Sequence, residues 1–212
     1  GEKGRVVGYV AIAFASSGEK QEMKKENNED ELSKEEQTEL LKLARLTVES
    51  VVKTGKEPEY VNKMPALDQP RGVFVTLKER GELRGCIGRF EPDIPLYKVV
   101  MEMAIAAATQ DYRFSPVSRR ELPDLEYEIS VLSPLRKVAS WKEIEIGKHG
   151  VEVARGMRRG VFLPQVATEQ GWELETFMNA LCEHKAGLPR DAWKDPGTTI
   201  YVFTAQVFHE NE

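Results

Sequence analysis

The chain predicts an α+β fold. Three observations carry that class: β-rich segments paired across short turns, amphipathic helical segments set between them without regular βαβ alternation, and enough apolar side chains for a real core. Of 212 residues, 41% are hydrophobic and 31% charged, which suits a globular chain of one large or two small domains.

Residues 5–15 are apolar at alternate and intervening positions alike, as in a strand buried on both faces. Residues 18–39 carry nine acids and four lysines, a net charge of −5 that equals the charge of the whole chain, and only Met23 and Leu32 are large and apolar there. The expected organisation is a stray strand at 1–17, a flexible acidic tether at 18–32 and a folded domain at 33–210.

Ser33-Lys-Glu-Glu36 reads as a capping box, and Leu40, Leu41, Ala44, Val48, Val51 and Val52 follow at helical spacing up to a stop at Gly55. Residues 72–77 and 82–87 read as a hairpin around Lys78-Glu-Arg-Gly81. A second helix is expected from Pro95 to about Gln110, with Asp93 or Ile94 as its cap and Ala104 to Ala108 favouring close packing. Residues 125–132 alternate as a half-buried strand, ended by Ser133-Pro134. Residues 150–155 and 161–163 form a second hairpin around Gly156-Met-Arg-Arg-Gly160. A third helix over 173–185 places Leu174, Phe177, Met178 and Leu181 on one side, and residues 198–208 read as one last strand.

Composition excludes several classes. Two cysteines, Cys86 and Cys182, are too few for a disulfide framework or a cysteine-rich zinc module. No apolar run approaches the ~20 residues of a membrane span, so a cytoplasmic protein that contacts no membrane is expected. The acidic excess argues against generic polyanion binding, yet it resides wholly in residues 18–39; the other 190 residues balance 26 basic against 26 acidic side chains. No GxxxxGK[ST], GxGxxG or GxSxG pattern is present, and no HxH, HxxxH or CxxC, so neither a metal site nor a cofactor is expected.

The most unusual local sequence is Leu83-Arg-Gly-Cys-Ile-Gly88, followed by Arg89-Phe90. Gly85 and Gly88 would allow close approach of a ligand to the backbone, and Arg84 and Arg89 would favour a thiolate at Cys86 or a bound anion. Cys86 is then either a nucleophile or a buried packing cysteine whose glycines make room for a neighbouring element. Asp111-Tyr-Arg-Phe-Ser-Pro116 offers Asp111 and Arg113 to a planar or anionic ligand, or else anchors a loop through an Asp–Arg contact. His149, in Gly147-Lys-His-Gly150, is the histidine best placed for general acid–base work. Arg155, Arg158 and Arg159 either grip phosphates or form a solvated basic turn.

With Glu128-Ile-Ser-Val-Leu132, Leu163-Pro-Gln-Val-Ala167 and Lys185-Ala-Gly-Leu188, these motifs resemble, in order, the signature of the AMMECR-one domain family. The resemblance runs from about Leu32 to Glu210. It implies two small two-layer subdomains, each a mainly antiparallel sheet with helices on one face, and a cleft between them. It implies no defined activity. It does imply association with a Memo-like protein of the extradiol-dioxygenase superfamily and with a radical-SAM protein. Val6-Val-Gly-Tyr-Val-Ala-Ile-Ala-Phe14 resembles the final strand of such a Memo-like domain.

Two functions are therefore expected to compete. One is an enzyme or enzyme component that binds an anionic substrate, a nucleic acid or a small metabolite, through Arg84, Gly85, Gly88, Asp111 and Arg113. In that case Cys86 is the nucleophile and His149 its proton partner. The other is a non-catalytic adaptor whose hexamer shapes a surface for a protein partner, with exposed apolar groups near Phe90 and Phe114.

Overall fold

The computed structural model describes residues 7–8, 31–90 and 93–210. The acidic tether and most of the N-terminal apolar segment lie outside the described residues. In chain order the strands and α-helices are β1 (Val7–Gly8), α1 (Lys34–Thr54), β2 (Val73–Glu79), β3 (Glu82–Arg89), α2 (Leu96–Thr109), β4 (Leu125–Leu132), β5 (Arg136–Lys137), β6 (Gly150–Arg155), β7 (Arg158–Phe162), α3 (Gln165–Glu169), α4 (Leu174–Ala180), β8 (Thr199–Phe203) and β9 (Ala205–His209). The fold is mixed α+β. It divides into two compact units, one comprising Gly1–Val131 with Gln206–Glu212 and the other Leu132–Ala205.

The first unit holds the strand order β3-β2-β4-β9, with β1 added at the β3 edge. Its hairpin turns at Arg80 and Gly81, both at positive φ (54° and 82°), as a two-residue turn matched to strand twist requires. Leu77 then pairs with Gly85 but Lys78 with Leu83, so Arg84 is an extra residue and the strand carries a bulge there. Helix α1 starts at the capping box, where the Glu36 N–H donates to Ser33 Oγ (3.3 Å) and the Ser33 N–H to Glu36 Oε2 (2.7 Å). It stops at Gly55, φ 74°. Helix α2 begins after Pro95 with no side-chain cap, where Asp93 or Ile94 was expected to serve. Val73, Val75 and Leu77 of β2 and Leu125, Tyr127, Ile129 and Val131 of β4 bury one sheet face in a cluster with Leu40, Ala44 and Val48 of α1 and Val100 and Ala104 of α2.

The second unit holds the order β5-β8-β6-β7, with β5–β8, β8–β6 and β6–β7 antiparallel. Its hairpin turns tightly at Gly156 and Met157, so Arg158, Arg159 and Gly160 belong to β7, where a five-residue turn was expected. Only a residue without a Cβ fits at Gly160, because the backbone of Lys185 and Ala186 lies against it: a Cβ would stand 2.5 Å from Ala186 N. The expected third helix is α4 followed by a π-helical segment, Leu181–Ala186, ended by Gly187 at φ 62°. Helix α3 and strand β5 carried no sequence signal long enough to detect. The expected single last strand is two: residues 199–203 join the second sheet and 205–209 the first. The break falls at Thr204, whose N–H donates to Ser133 Oγ (3.0 Å) and whose carbonyl accepts from the Ser133 N–H (2.9 Å). Among the described residues no helix is long and apolar enough to cross a membrane.

Candidate functional site

The bulge at Arg84 decides what each residue of the hexamer meets. Gly85 and Ile87 face the helices; the Gly85 Cα lies so close to α2 that a Cβ would stand 2.2 Å from the Ala107 carbonyl oxygen. Alternation then sends Cys86 and Gly88 to the opposite face, opposite Thr76 and Phe74 of β2. The space beside Gly88 is filled by the Phe74 ring, 2.1 Å from where a Cβ would be, and Phe74 packs edge-on against Phe90 at 5.2 Å. Both glycines lie in extended backbone. Where a ligand cradle at Gly85 and Gly88 was expected, a helix backbone and an aromatic ring occupy the room.

Cys86 is buried, 5% exposed. Its sulfur accepts from the Thr76 hydroxyl at 3.2 Å. Burial pushes the thiol above its ordinary pKa, and Thr76 and the more distant Arg113 only partly offset this. The thiolate expected from neighbouring arginines is thus disfavoured, because Arg84 and Arg89 turn elsewhere. Arg84 donates through Nε to Glu121 Oε1 (2.6 Å) and through Nη2 to the Ser115 carbonyl (2.9 Å). That pairing, against the smaller opposing effect of burial, takes Glu121 down to about 2. Arg89 meets Asp93 at 3.0 Å and Glu102 at 3.4 Å.

Asp111, just past α2, is 3% exposed. One carboxylate oxygen accepts from the Cys86 N–H at 2.9 Å. Arg113 grips both oxygens, Nε to Oδ1 at 2.9 Å and Nη2 to Oδ2 at 2.6 Å, and reaches on to the Cys86 carbonyl at 3.3 Å. Burial alone would raise the Asp111 carboxyl; the hydrogen bonds from Arg113 and from the Cys86 amide outweigh it and hold the group below its ordinary value. The pair therefore clasps the Cys86 peptide. The next ring along, Phe114, has the Arg84 and Arg113 guanidinium carbons 5.8 and 5.5 Å from its centroid, within cation–π range. Between these anchored residues Tyr112 stands 87% exposed.

His149 belongs to the second unit. Its ring Nδ1 accepts from the Glu145 N–H at 3.1 Å while the His149 backbone N–H donates to the Glu145 carbonyl at 2.9 Å. The ring closes a turn, and burial lowers its pKa against the opposing charge of Glu145. Of the basic hairpin, Arg155 pairs with Asp195 at 3.0 Å and Arg159 with the buried Glu152 at 3.1 Å, while Arg158 donates to the Gly187 carbonyl. Among the described residues no group of three His, Cys, Asp or Glu is placed to hold a metal ion.

Sequence reasoning missed Thr76 and Glu121. Counting pairs outward from the turn would have set Cys86 opposite Val75, on the helix side; the bulge moves it to Thr76. Glu121 carried no signal beyond its residue type.

The AMMECR1 family model matches residues 41–208. A protein of Methanothermobacter thermautotrophicus is 46% identical over 187 residues, which cover 85% of this chain and 97% of that one. A protein of Methanopyrus kandleri is 46% identical over 192 residues, covering 86% and 92%. The crystal structure of an uncharacterized protein from Pyrococcus horikoshii superposes with a TM-score of 0.69 at 40% identity, covering 82% of this chain and 91% of that one. Matched by that family model over most of its length and by relatives that it covers almost entirely, the chain belongs to the AMMECR1 family.

Proposed function

We propose that this chain is a protein-recognition module that contacts its partner through the loop from Asp111 to Ser115, with Tyr112 as the anchoring side chain. The observation that carries this is the contrast within three consecutive residues: Tyr112 is 87% exposed, while Asp111 is 3% exposed and locked to Arg113. A rigid loop presenting one exposed tyrosine loses little conformational entropy on binding, and Tyr and Arg dominate interface hot spots. The buried thiol of Cys86 and the His149 ring engaged by its own turn both weigh against nucleophilic catalysis. The Memo-like and radical-SAM proteins that the sequence resemblance implies are the first partners to try.

The test is titration calorimetry of each purified partner against wild type, Tyr112→Ala and Cys86→Ser. Tyr112→Ala should weaken binding by roughly 30-fold or more, the size of a hot-spot loss, and Cys86→Ser should bind as wild type. Unchanged binding by Tyr112→Ala would sink the proposal. Failure of Cys86→Ser to complement a deletion strain, with its melting unchanged, would favour a thiol enzyme instead. An anion-binding enzyme component is the second reading. It draws on one observation, the buried Arg84 Nη1, which has no hydrogen-bond partner.

A further inference from the structure

The amide and carbonyl of Cys86 both point away from β2, since one goes to Asp111 and the other takes Arg113. Main-chain groups two residues apart on a strand point the same way, so Gly88 presents its own pair to the same outer edge of β3. There Val7 pairs with Gly88 and Gly8 with Ile87, antiparallel. The next position in that register falls opposite Cys86. Its donor and acceptor are already taken by a carboxylate and a guanidinium that are themselves locked together at 2.9 and 2.6 Å. One acceptor and one donor, held rigidly side by side, are what a single residue of a neighbouring strand would supply.

We propose that the outer edge of β3 is a docking track for an extended chain, that the N-terminal segment of this same chain is its occupant, and that the Asp111–Arg113 pair is the stop that fixes the occupant's register. The apolar, β-branched sequence around Val7 suits such a strand. An uncovered edge would offer a row of unpaired amides and carbonyls to other chains, and covering it is a common protection. The inference goes beyond the Tyr112 contact and stands without it.

Amide hydrogen exchange on the 212-residue chain tests it. Val7→Pro removes the N–H that faces Gly88. Exchange at Gly88 should quicken by about tenfold or more, while Cys86, still clasped by Asp111, and the central Val75 and Ile129 keep their wild-type rates. In an Asp111→Ala background the Cys86 amide should become sensitive to Val7→Pro, because the strand is then able to run one pair further. Asp111→Ser, whose shorter side chain withdraws from the Cys86 amide, replaces Asp111→Ala if that variant does not fold. A Gly88 rate unmoved by Val7→Pro overturns the docking. Protection at Gly88 that grows with protein concentration assigns the track to a second copy and overturns the occupant. A Cys86 amide still indifferent to Val7→Pro once the clasp is removed overturns the stop.

Discussion

Replacing Asp111 by alanine removes four acceptor contacts at once: to the Cys86 amide, to Arg113 Nε and Nη2, and to the Arg113 amide at 3.2 Å. The orphaned Cys86 N–H is buried, and an unsatisfied buried donor costs about 1–3 kcal/mol. Arg113 loses its counter-ion; breaking a fully buried pair costs about 3–5 kcal/mol, but the Arg113 side chain is 17% exposed, so water recovers part and about 1–3 kcal/mol is the fitting share. The sum is a destabilisation of roughly 2–6 kcal/mol for Asp111→Ala, and about half that for Asp111→Asn, which keeps shape and one acceptor. Urea unfolding followed by far-ultraviolet circular dichroism reads it. All three tryptophans (Trp141, Trp172, Trp193) lie in the second unit, so tryptophan fluorescence supplies a separate reading of that unit. The effect also has a sign in pH. The Asp111 pKa is lowered in the folded state, so its contribution is complete above the ordinary aspartate value of about 3.9 and is lost as pH falls through the lower folded value. The gap between wild type and Asp111→Asn should therefore be full at pH 7 and shrink below about pH 4. Stability of Asp111→Ala within about 0.5 kcal/mol of wild type, the scatter of ordinary surface changes, would refute the clasp.

Gly85→Ala should cost about 3 kcal/mol or more, at or beyond the upper end for overpacking, because its Cβ would meet the Ala107 carbonyl at 2.2 Å and a helix backbone must move. Gly55→Ala, at φ 74° with nothing nearby, should cost only about 1–2 kcal/mol of left-handed strain; equal melting points for the two variants would disprove the close approach. Cys86 and Cys182 are 5% and 0% exposed with burial-raised pKa values, so a thiol reagent at pH 8 should label both only as fast as the chain opens. A burst of labelling at one equivalent, traced to Cys86, would show a reactive thiolate after all.

Helix α1, the hairpin β2–β3 and strand β4 were legible in the sequence because each rests on local physics: a capping box, a Gly-containing turn, an alternation of apolar residues. Residues 199–209 were legible as strand but not as two strands, since alternation is blind to which sheet a strand joins. The site was half legible. Asp111 and Arg113 stand two apart in one loop, so their mutual contact could be foreseen from the sequence; that they would seize the Cys86 peptide could not.

The sequence by itself determined that Cys86 sits in a strand between two glycines and that an acidic stretch carries the chain's net charge. Only the tertiary structure decided which face of the sheet the sulfur takes. A single extra residue at Arg84 reverses the direction of every side chain beyond it. That reversal brings Gly85, and not Cys86, against the α2 backbone, where only a residue without a Cβ fits. Side-chain type is written locally, but a bulge is chosen by whichever packing on both faces costs least, and that balance exists only once α2 and the Asp111 loop are in place.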